Sequence, residues 1–548
     1  MRHLVNVSNW QSFCIGEKTY YSPNIELIAQ LRENPQTEFW LTTYTEFSCV
    51  IIDNISETIQ LVRDHFGCEP FFYFINQQNL YFASSLAELI SALKQDQISI
   101  SVNEDELRYM LVLGKVLTYP TEVHEETLYN GIKRVKPNHL VAISNDTITQ
   151  TQYWDLASHC HETIYYNDEN EYLEHFSELF HEGIKLQIGN ETALAAECSG
   201  GLDSSSIILA AYHLNKPLTL YTHLDQDYDP LKKRIRESYF VEELVKKYGF
   251  RHSNIDANDF ELQPVLDMVT EVLAGQIQSL FPIGANIIHT KAATDKTKIL
   301  LSGFGGDECV SGHANLQLCL LQWLKHGQYK KAWQEYHRHY AMNNLLKPAM
   351  ITQIKTWLGA QFPELREKYA LQRHQQNKQK FVKSSFMFPD YIPKAKSIAE
   401  LELRQLVGVD NNHICYRIED SALIARHYGF KYKYPLLYPK LVEFCNRLPL
   451  HMKRENGLAR IMIRKYLAQA GMPEFTAKPI AKFDGNIMGS TFIKIRQSYQ
   501  NELKNQLNTQ LQYWKIKEQI LKFDPNILEN TNLYQDLALL SLNQFLVK

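Results

Sequence analysis

The chain has 548 residues, of which 45% are hydrophobic and 22% are charged, and its formal net charge is −4. This length allows two or more domains with sizeable cores, and the slight acidity argues against a nucleic-acid binder or an anionic membrane as partner. The nine cysteines are scattered and never form a C-x-x-C pair, so neither a disulfide framework nor a zinc site is predicted. We see no signal peptide and no apolar run of about 18 residues, and we therefore expect a cytoplasmic protein.

Short runs of β-forming residues dominate the first part of the chain. The segments FSCVIID, PFFYF, NLYFAS and HLVAIS are separated by turn-forming or charged stretches, which is typical of β-strands. One predicted helix, NEDELRYMLVLGKVL, interrupts them. We assign residues 1–155 to a first domain and residues 156–190 to a linker or helix.

From about residue 190 the pattern changes to an alternation of strands and helices. The segments TALAAE, SSIILAAYHL, LTLYTHL, ESYFVEELVKKYG and KTKILLSG predict strand, helix, strand, helix and strand, as in a parallel sheet with crossover helices. Residues 191–548 are therefore predicted to form an α/β domain. A stretch rich in Gln, Lys, Arg and His at about 320–405 is predicted to be a helical insertion that is mostly solvated, with a docking surface for a partner peptide as the alternative.

The stretch ECSGGLDSSSI (197–207) joins the first predicted strand of this domain to the first helix. A Gly-Gly turn there lets successive backbone N–H groups converge on one point, where the helix N-terminus adds partial positive charge, so the loop predicts a phosphate site. Four serine hydroxyls could add donors: Ser199, Ser204, Ser205 and Ser206. Asp203 would repel a bare anion, and a Mg²⁺ that bridges carboxylate and phosphate removes this conflict. The loop is not a Walker P-loop, because no lysine follows the glycines.

A second glycine-rich loop, SGFGGDECVSGH (302–313), follows the predicted strand KILL. Ligands of open parallel sheets bind outside the carboxyl ends of the strands, so Asp203 and Asp307 should both point into one crevice. Two carboxylates in such a crevice suit one or two Mg²⁺ ions on a triphosphate.

With both loops considered, the chain resembles the asparagine synthetase superfamily over nearly its whole length. The sequence S-G-G-x-D-S resembles the ATP-pyrophosphatase loop, which grips the β,γ-pyrophosphate while AMP is transferred to a substrate. The segment LVRDHFGCEPFFYF (61–74) resembles the R-D-x-x-G-x-x-P-L-Y segment of the family's glutaminase domain, and the stretches that contain RIED and GLARIMIRK resemble parts of its synthetase domain. The resemblance implies an α+β first domain, an N-terminal nucleophile-hydrolase-type (glutaminase-like) β-sandwich flanked by helices. An α/β ATP-pyrophosphatase (adenine nucleotide α-hydrolase-like) synthetase domain is implied to follow it.

The first departure from the family concerns the glutaminase chemistry. Glutaminases of this family need a cysteine directly after the initiator methionine, whose thiolate attacks the amide, whereas this chain has Arg2. The family's N-G-E-I-Y-N segment is also absent, and the matching region is FWLTTYTEFSCV. Cys14 was weighed as a substitute, but it is not terminal and no partner is evident. We therefore expect a first domain that is retained as a scaffold and releases no ammonia.

The second departure lies in the second loop. Asparagine synthetases have S-G-E-G there, and β-lactam synthetases have S-G-Y-G, with a Tyr–Glu pair that deprotonates the amine. This chain has Phe304, which cannot take a proton. The resemblance places the pair's other member at Glu419 in RIED, and the alternative role for this residue is an ion pair with Arg417 or Arg426.

Lasso-peptide cyclases are the branch that fits both departures. Their chemistry adenylates an Asp or Glu side chain of a precursor peptide, and the peptide's own N-terminal amine then closes an isopeptide ring without ammonia. The resemblance implies ATP and Mg²⁺ as cofactors, and a precursor peptide with its leader peptidase or recognition protein as partners.

The alternatives are an asparagine synthetase that uses free ammonia, a β-lactam or other small-molecule amide synthetase, and an inactive binding or scaffold protein. A tRNA-modifying pyrophosphatase shares the first loop but not the amino-terminal half.

The resemblance assigns roles to individual residues. The metal ligands are Asp203 and Asp307, and the proton acceptor is Glu419. A lysine near the carboxyl end of the domain stabilises developing charge, and the candidates in TAKPIAKFDG are Lys478 and Lys482, of which Lys482 is favoured because its K-F pairing resembles the family's ending. The nucleotide-binding positions are Ser199, Gly200, Gly201, Leu202, Asp203, Ser204, Ser205, Leu220, Tyr221, Ser302, Gly303, Phe304 and Gly305.

Overall fold

The computed structural model of the protein describes residues 3–8, 10–15, 17–33, 38–76, 79–113, 124–144, 147–160, 162–223, 237–255, 261–279, 281–310, 316–342, 372, 412–473 and 533–547. Arg2, the two candidate lysines Lys478 and Lys482, and most of the predicted insertion at about 320–405 lie outside these residues.

Two sheets form the first part of the chain. Their strands are β1 (His3–Asn6), β2 (Gln11–Ile15), β3 (Lys18–Ser22), β4 (Ser48–Asp53), β5 (Thr58–Arg63), β6 (Phe72–Asn76), β7 (Asn79–Ala83), β8 (Ile132–Arg134), β9 (His139–Ser144) and β10 (Thr147–Gln152). One sheet has the order β1-β7-β6-β8 and the other has the order β10-β9-β5-β4-β3-β2. Neighbours are antiparallel except for the parallel pair of β1 and β7. The four segments predicted to be strands are strands β4, β6, β7 and β9.

Alternating side chains of β4 show how the two sheets pack. Val50 and Ile52 point into a core shared with the four-stranded sheet, while Cys49 and Ile51 point to the other face. Successive side chains of a strand point to opposite faces, so the fully apolar run CVII is buried on both sides. The helices of this part are α1 (Ile25–Glu33), α2 (Leu86–Gln95) and α3 (Glu104–Leu113). Because α1 covers the six-stranded sheet and α2 packs on the four-stranded one, the layers are helix, sheet, sheet and helix.

A five-stranded parallel sheet forms the second part. Its strands are β11 (Leu194–Glu197), β12 (Thr219–His223), β13 (Arg251–Ile255), β14 (Ile299–Leu301) and β15 (Lys431–Lys433), and a short hairpin follows with β16 (Arg454–Glu455) and β17 (Leu458–Ala459). The order is β13-β12-β11-β14-β15 with every neighbour parallel. The chain proceeds from β11 outwards to β12 and β13, and then returns to form β14 on the other side of β11. The strand order thus reverses beside β11, which is where open α/β sheets bind ligands.

Helices cover this sheet and connect its strands. They are α4 (Leu156–His159), α5 (Glu169–Ile188), α6 (Leu202–His213), α7 (Glu237–Tyr248), α8 (Leu262–Leu273), α9 (Phe281–Gly284), α10 (Asn286–Thr294), α11 (Leu316–Lys325), α12 (Tyr329–Met342), α13 (Asn412–His427), α14 (Pro439–Asn446), α15 (Leu450–Lys453), α16 (Ile461–Gln469) and α17 (Leu533–Val547). The predicted alternation of strands and helices from β11 to β14 is confirmed. Helix α6 is buried from Ser204 to Ala211, and β11, α5 and α16 all pack against it.

The two parts share one large core. It contains Phe72 and Leu89 from the first part together with Phe176 of α5 and Leu300 of β14. In the described part of the insertion, α11 and α12 enclose a small core of their own around Trp323. None of the described helices is both long and apolar enough to cross a bilayer.

Candidate active site

The first glycine-rich loop leaves the end of β11 and enters helix α6. Gly200 adopts a φ of 75°, in the left-handed region that glycine tolerates without a Cβ clash. The backbone N–H of Gly201 donates to Ser199 Oγ at 3.2 Å, and the hydroxyls of Ser199 and Ser204 lie 3.1 Å apart. Gly201 stands at the N-cap of α6 and has no side chain to cap the first turn. The turn therefore presents backbone donors and the positive end of a 12-residue helix, which suits an anion.

The second loop leaves the end of β14 and packs directly on the first. A Cβ at Gly303 would stand 2.9 Å from the backbone N of Ser204, and one at Gly306 would stand 2.2 Å from Asp203 Cγ. Contacts this short are impossible for a side chain, so glycine is required at both positions. Gly305, with a φ of 96°, donates its N–H to Glu308 Oε2 at 3.0 Å. The structure thus brings together the two loops that the sequence placed in one crevice.

Arg460 links the two carboxylates predicted to bind metal. Its Nη1 lies 2.8 Å from Asp307 Oδ1, and its Nη2 forms an ion pair with Asp203 Oδ1. Arg460 has a left-handed backbone (φ 68°) at the N-terminus of α16, and its N–H donates to Lys453 O at 2.8 Å. Sequence reasoning missed this residue, although the segment GLARIMIRK, which contains it, was noted as resembling the family.

The charges in this crevice do not balance. Burial raises the pKa of Asp203 to about 6, because desolvation and the neighbouring carboxylates of Asp307 and Glu308 outweigh the pull of Arg460. The side chains of Asp203 and Asp307 are 16% and 28% exposed, so both remain accessible from the crevice. Two accessible carboxylates with one arginine leave room for a further cation.

This set of donors fits Mg²⁺, which prefers oxygen ligands and keeps sites open to phosphate oxygens and water. Asp203 and Asp307 would hold the ion, since both carboxylates lie against the same Arg460 guanidinium. In the described ranges, no group of three His, Cys, Asp or Glu side chains forms a metal site.

Several predicted nucleotide positions contribute no side chain to the crevice surface. Leu220 and Tyr221 on β12 are buried, and the hydroxyl of Tyr221 donates to Asp295 Oδ2 at 2.9 Å. Leu202 belongs to the core, and Ser205 is completely buried. Any contact of these residues with a nucleotide would involve their backbone.

Phe304 takes part in a stack of aromatic and cationic groups beside the second loop. The guanidinium carbon of Arg417 lies 3.8 Å from the centre of the Phe304 ring and 3.3 Å from that of Phe281. Tyr434 meets the other side of Phe304 edge-on, at 6.1 Å between ring centres. Burial lowers the pKa of Arg417, and the negative charge of Glu308 and nearby groups only partly offsets this effect. Phe304 thus anchors a cation at the crevice.

Glu197 is a carboxylate at the end of β11 that the sequence analysis did not single out. Its Oε2 accepts a hydrogen bond from Ser302 Oγ at 2.6 Å, and its Oε1 accepts one from the Tyr432 hydroxyl at 2.8 Å. His289 Nε2 lies 2.8 Å from the same hydroxyl. The side chain of Glu197 therefore ties β11, β14 and β15 together directly beneath the two loops.

Glu419, the predicted proton acceptor, lies away from these groups in an interface between the two parts of the chain. Arg134 Nη2 lies 2.8 Å from its Oε1, and Arg63 Nη1 lies 3.1 Å from its Oε2. The Glu419 side chain is fully buried, and although burial opposes ionisation, the two arginines lower its pKa to about 2.

A carboxylate held in this way is a weak base, so the arrangement favours the alternative that Glu419 is an ion-pair residue. Its partners are Arg63 and Arg134, and the arginines named from the sequence were wrong. Arg417 stacks on aromatic rings, and Arg426 forms an ion pair with Glu69. The predicted catalytic role of Glu419 remains a prediction.

Asp420 extends this interface towards α9. Its Oδ2 accepts the backbone N–H groups of Gln278 and Ser279 at 2.9 and 2.8 Å. Gln278 Nε2 also donates to Glu419 Oε1 at 3.0 Å. The same segment leads into Phe281, the ring on Arg417, so the buried network supports one wall of the crevice. Burial raises the pKa of Asp420 to about 7.

Cys14 stands in β2, the edge strand of the six-stranded sheet, and its side chain is exposed. Its Sγ lies 3.6 Å from Thr19 Oγ1. This position on a solvent-facing edge is no enclosed site for amide hydrolysis.

Comparison with known proteins gives two family matches. The model of the asparagine synthase family matches residues 175–530, and that of a glutamine amidotransferase domain matches residues 24–154. A glutamine-hydrolysing asparagine synthetase 3 of Bacillus subtilis is 24% identical over 310 residues, which is 52% of this chain and 48% of that protein. A glutamine-hydrolysing protein named asparagine synthetase 2 of Methanocaldococcus jannaschii is 23% identical over 294 residues, 50% of this chain and 53% of its own length.

A third relative, the amidase chry2 of Gibberella zeae, is 25% identical over 173 residues, which cover 31% of this chain and 24% of that protein. The chain thus spans about half the length, or less, of the curated relatives it matches.

Proposed function

Because the chain belongs to the asparagine synthase family, we propose that it is an ATP-dependent synthetase that forms amide bonds. It transfers AMP from ATP to a carboxylate, releases pyrophosphate, and exposes the activated acyl group to an amine. The observation that carries the proposal is the contact of the two glycine-rich loops, which places Asp203 and Asp307 on one arginine at the carboxyl ends of β11 and β14.

We assign the following roles to the crevice residues. The backbone of 199–204 and the N-terminus of α6 bind the pyrophosphate part of ATP. Mg²⁺, held by Asp203 and Asp307, supplies neutralisation of phosphate charge when it is bound. Arg460 keeps the two carboxylates together and lies close enough to them to meet phosphate oxygens. Lys482, with Lys478 as the alternative, is the proposed further cation for the charge that develops on the phosphate and acyl oxygens.

The first domain is proposed to act as a scaffold without glutaminase activity. Arg2 stands where the family's nucleophilic cysteine is required, and Cys14 lies on an exposed strand edge. The domain nevertheless supplies Arg63 and Arg134, which neutralise Glu419 inside the synthetase part. Loss of this domain would leave a buried charge without partners, which is a physical reason to retain it.

The proposed reaction is lasso-peptide macrocyclisation, in which a peptide's Asp or Glu side chain is adenylated and its N-terminal amine closes the ring. Phe304 supports this proposal because it removes the glutamate or tyrosine that the small-molecule branches place in this loop. A substrate that carries its own amine also needs no ammonia and no glutaminase. Holding both ends of one peptide together contributes to catalysis through the entropy already lost on binding. A precursor peptide with its leader peptidase or recognition protein would be the partners.

A second candidate is an asparagine synthetase or other amide synthetase that acts on a small molecule. The names of two relatives, each glutamine-hydrolysing asparagine synthetase, favour it. Phe304 is the observation against it. An inactive scaffold protein is disfavoured, because the Asp203, Asp307 and Arg460 cluster is intact.

The experiment that tests the proposal is isotope exchange between pyrophosphate and ATP in the purified protein with Mg²⁺. The probes are L-aspartate and synthetic peptides that begin with glycine and carry an Asp or Glu further along. We expect exchange with peptide and a dehydrated, ring-closed product by mass spectrometry. Exchange with aspartate alone would favour the small-molecule candidate, and no exchange with any probe would contradict an adenylating enzyme. Glutamine should yield no glutamate, and glutamate formation would overturn the scaffold role.

A further inference from the structure

We propose that Glu197 is the base that takes the proton from the attacking amine, an inference that rests on the proposed amide-forming function. An amine that attacks an activated carboxyl group must lose a proton as the new bond forms, and a positioned carboxylate speeds this step. Phe304 cannot serve, and Glu419 is enclosed by Arg63 and Arg134. Among the described residues, Glu197 is a carboxylate hydrogen-bonded to the start of the second loop through Ser302.

Glu197 lies close to Phe304, which stands where the related synthetases have a glutamate or a tyrosine. In the sheet, Ala196 pairs with Leu301, so the next residues along the two strands, Glu197 and Ser302, are neighbours at the carboxyl edge. Ser302 Oγ donates to Glu197 at 2.6 Å and accepts the backbone N–H of Phe304 at 3.4 Å. One hydroxyl thus separates the Glu197 carboxylate from the backbone of Phe304.

The surroundings of Glu197 leave it able to accept a proton. Its described hydrogen-bond donors are two neutral hydroxyls, those of Ser302 and Tyr432, and its side chain is partly exposed. Glu419, by contrast, is completely buried under two guanidinium groups. Each oxygen of Glu197 accepts one of these hydrogen bonds, and a carboxylate oxygen has a further lone pair that can accept the proton of the amine.

The neighbouring charges also suit this step. Arg417, on the Phe304 ring, is held close enough to Glu197 for their charges to interact, and the charge of Glu308 acts on the same guanidinium. His289 continues the hydrogen-bond series through Tyr432 into the core.

The proposed step balances as follows. The amine nitrogen forms a bond to the acyl carbon, and the bond from that carbon to the phosphate oxygen of AMP breaks. The proton leaves the nitrogen for a carboxylate oxygen of Glu197, and AMP departs as the anion. Glu197 then returns the proton to solvent through the open side of the crevice. No oxidant or further reactant takes part.

The test separates adenylation from amide formation in Glu197→Gln. Pyrophosphate–ATP exchange reports the first step, and mass spectrometry of the amide reports the second, with two probe sets: L-aspartate plus ammonium chloride, and the glycine-started peptide. We expect exchange within about twofold of the wild type and amide formation reduced by about 10²-fold or more, the usual contribution of a general base. Glu242→Gln, which removes the same charge from an exposed site on α7, should change neither rate.

A second measurement, with hydroxylamine as the nucleophile, distinguishes a role of Glu197 as a base from a purely structural role. Hydroxylamine is largely unprotonated at neutral pH and strongly nucleophilic, so it attacks an acyl-adenylate without a base. In Glu197→Gln, hydroxamate should therefore form at close to the wild-type rate while the amide does not. If the variant proves unstable, Glu197→Asp keeps the carboxylate and should retain measurable amide formation.

The outcomes distinguish the two proposals. Normal amide formation by Glu197→Gln would overturn the role of Glu197 alone, and so would an equal loss of exchange, amide and hydroxamate in a folded variant. Absence of exchange in the wild-type protein with every probe would overturn the proposed function and this inference with it.

Discussion

This protein contains two clusters in which arginine side chains pair with carboxylates, and the two clusters have opposite balances of charge. In the crevice, the described contacts pair Arg460 with both Asp203 and Asp307, and these side chains are 10% to 28% exposed. In the interface, Arg63 and Arg134 together face Glu419, and the three side chains are at most 1% exposed. The pKa of Asp203 is raised to about 6, whereas that of Glu419 is lowered to about 2.

The difference teaches that charge balance and exposure decide what such a cluster does. Accessible carboxylates attract a cation, which is why we propose that Mg²⁺ and phosphate bind at the first cluster. A closed cluster with an excess of positive charge holds its carboxylate ionised and stabilises the arrangement of the chain, since removal of one partner leaves a buried charge. We therefore assign reaction chemistry to the first cluster and positioning to the second.

Helix α13 connects the two clusters. Arg417 on this helix points to the aromatic stack at the crevice, and Glu419, two residues later, points into the interface. Residues two apart in an α-helix lie on nearly opposite sides, because each residue turns the chain by roughly 100°. The helix therefore joins the interface to one wall of the crevice.

The largest expected effect concerns the crevice carboxylates. Asp203→Asn and Asp307→Asn should each lower pyrophosphate–ATP exchange by at least about 10²-fold, because each removes a proposed ligand for Mg²⁺ at the phosphates. Asp267→Asn, an exposed change on α8, is the control. Retention of full exchange in either crevice variant would remove that residue from the proposed metal site.

The next effect concerns the interface. Arg134→Leu leaves Glu419 with fewer partners and should lower the free energy of unfolding by about 3–5 kcal/mol, the usual cost of breaking a buried ion pair. The control Arg251→Leu removes an arginine from an exposed strand position and should cost far less. Urea unfolding followed by circular dichroism measures both. Equal stability of the two variants would show that the interface pair contributes nothing.

The two clusters should change the stability of the protein in opposite directions as the pH falls. The depressed pKa of Glu419, about 2 against an ordinary 4.5, contributes about 3 kcal/mol that is present above pH 4.5 and is lost as the pH falls towards 2. The raised pKa of Asp203, about 6 against 3.8, acts the other way, and its cost at neutral pH is relieved as the pH falls from above 6 to 4.

Stability should therefore be highest in mildly acidic solution, a trend that the raised pKa of Asp420, about 7, reinforces. Asp203→Asn should flatten the curve between pH 4 and 7, and Glu419→Gln should flatten it below pH 4.5. Thermal unfolding over this range measures both. A curve in which Asp203→Asn changes only the acidic limb would contradict the assignment of the raised pKa.

The smallest expected effect is the stabilisation by ligand. The Mg²⁺–ATP complex, at about 100 times its dissociation constant, should stabilise the wild-type protein by about 2.7 kcal/mol, because the ligand binds the folded state alone. Asp307→Asn should lose most of this increment, whereas Arg134→Leu should keep it if the crevice is intact. A thermal shift assay measures the increment. An unchanged increment in Asp307→Asn would place the metal elsewhere.

Much of the fold and part of the site could be predicted from local sequence patterns. The strand, loop and helix around Ser199–Ser204 follow from an apolar run, two glycines and a second apolar run. The second loop could be predicted in the same way, because glycines follow the apolar run of β14. Phe304 was recognised as a departure because its loop has a strict form in the family.

Positions that depend on distant parts of the chain were beyond such patterns. Arg460 meets Asp203 across 257 residues, and the partners of Glu419 were misassigned because Arg134 reaches it from 285 residues away. Glu197 was overlooked because a single glutamate at the end of a strand carries no distinctive local pattern.

The sequence by itself determined the order of strands and helices and the two glycine-rich loops. Turns, caps and apolar periodicity act over a few residues, so a linear pattern encodes them directly. Only the tertiary structure decided which charges meet: Arg460 with the crevice aspartates, Arg63 and Arg134 with Glu419, and Ser302 and Tyr432 with Glu197. The physical reason is that the pKa and role of a carboxylate depend on its burial and on the charges packed around it, and packing is a property of the whole fold.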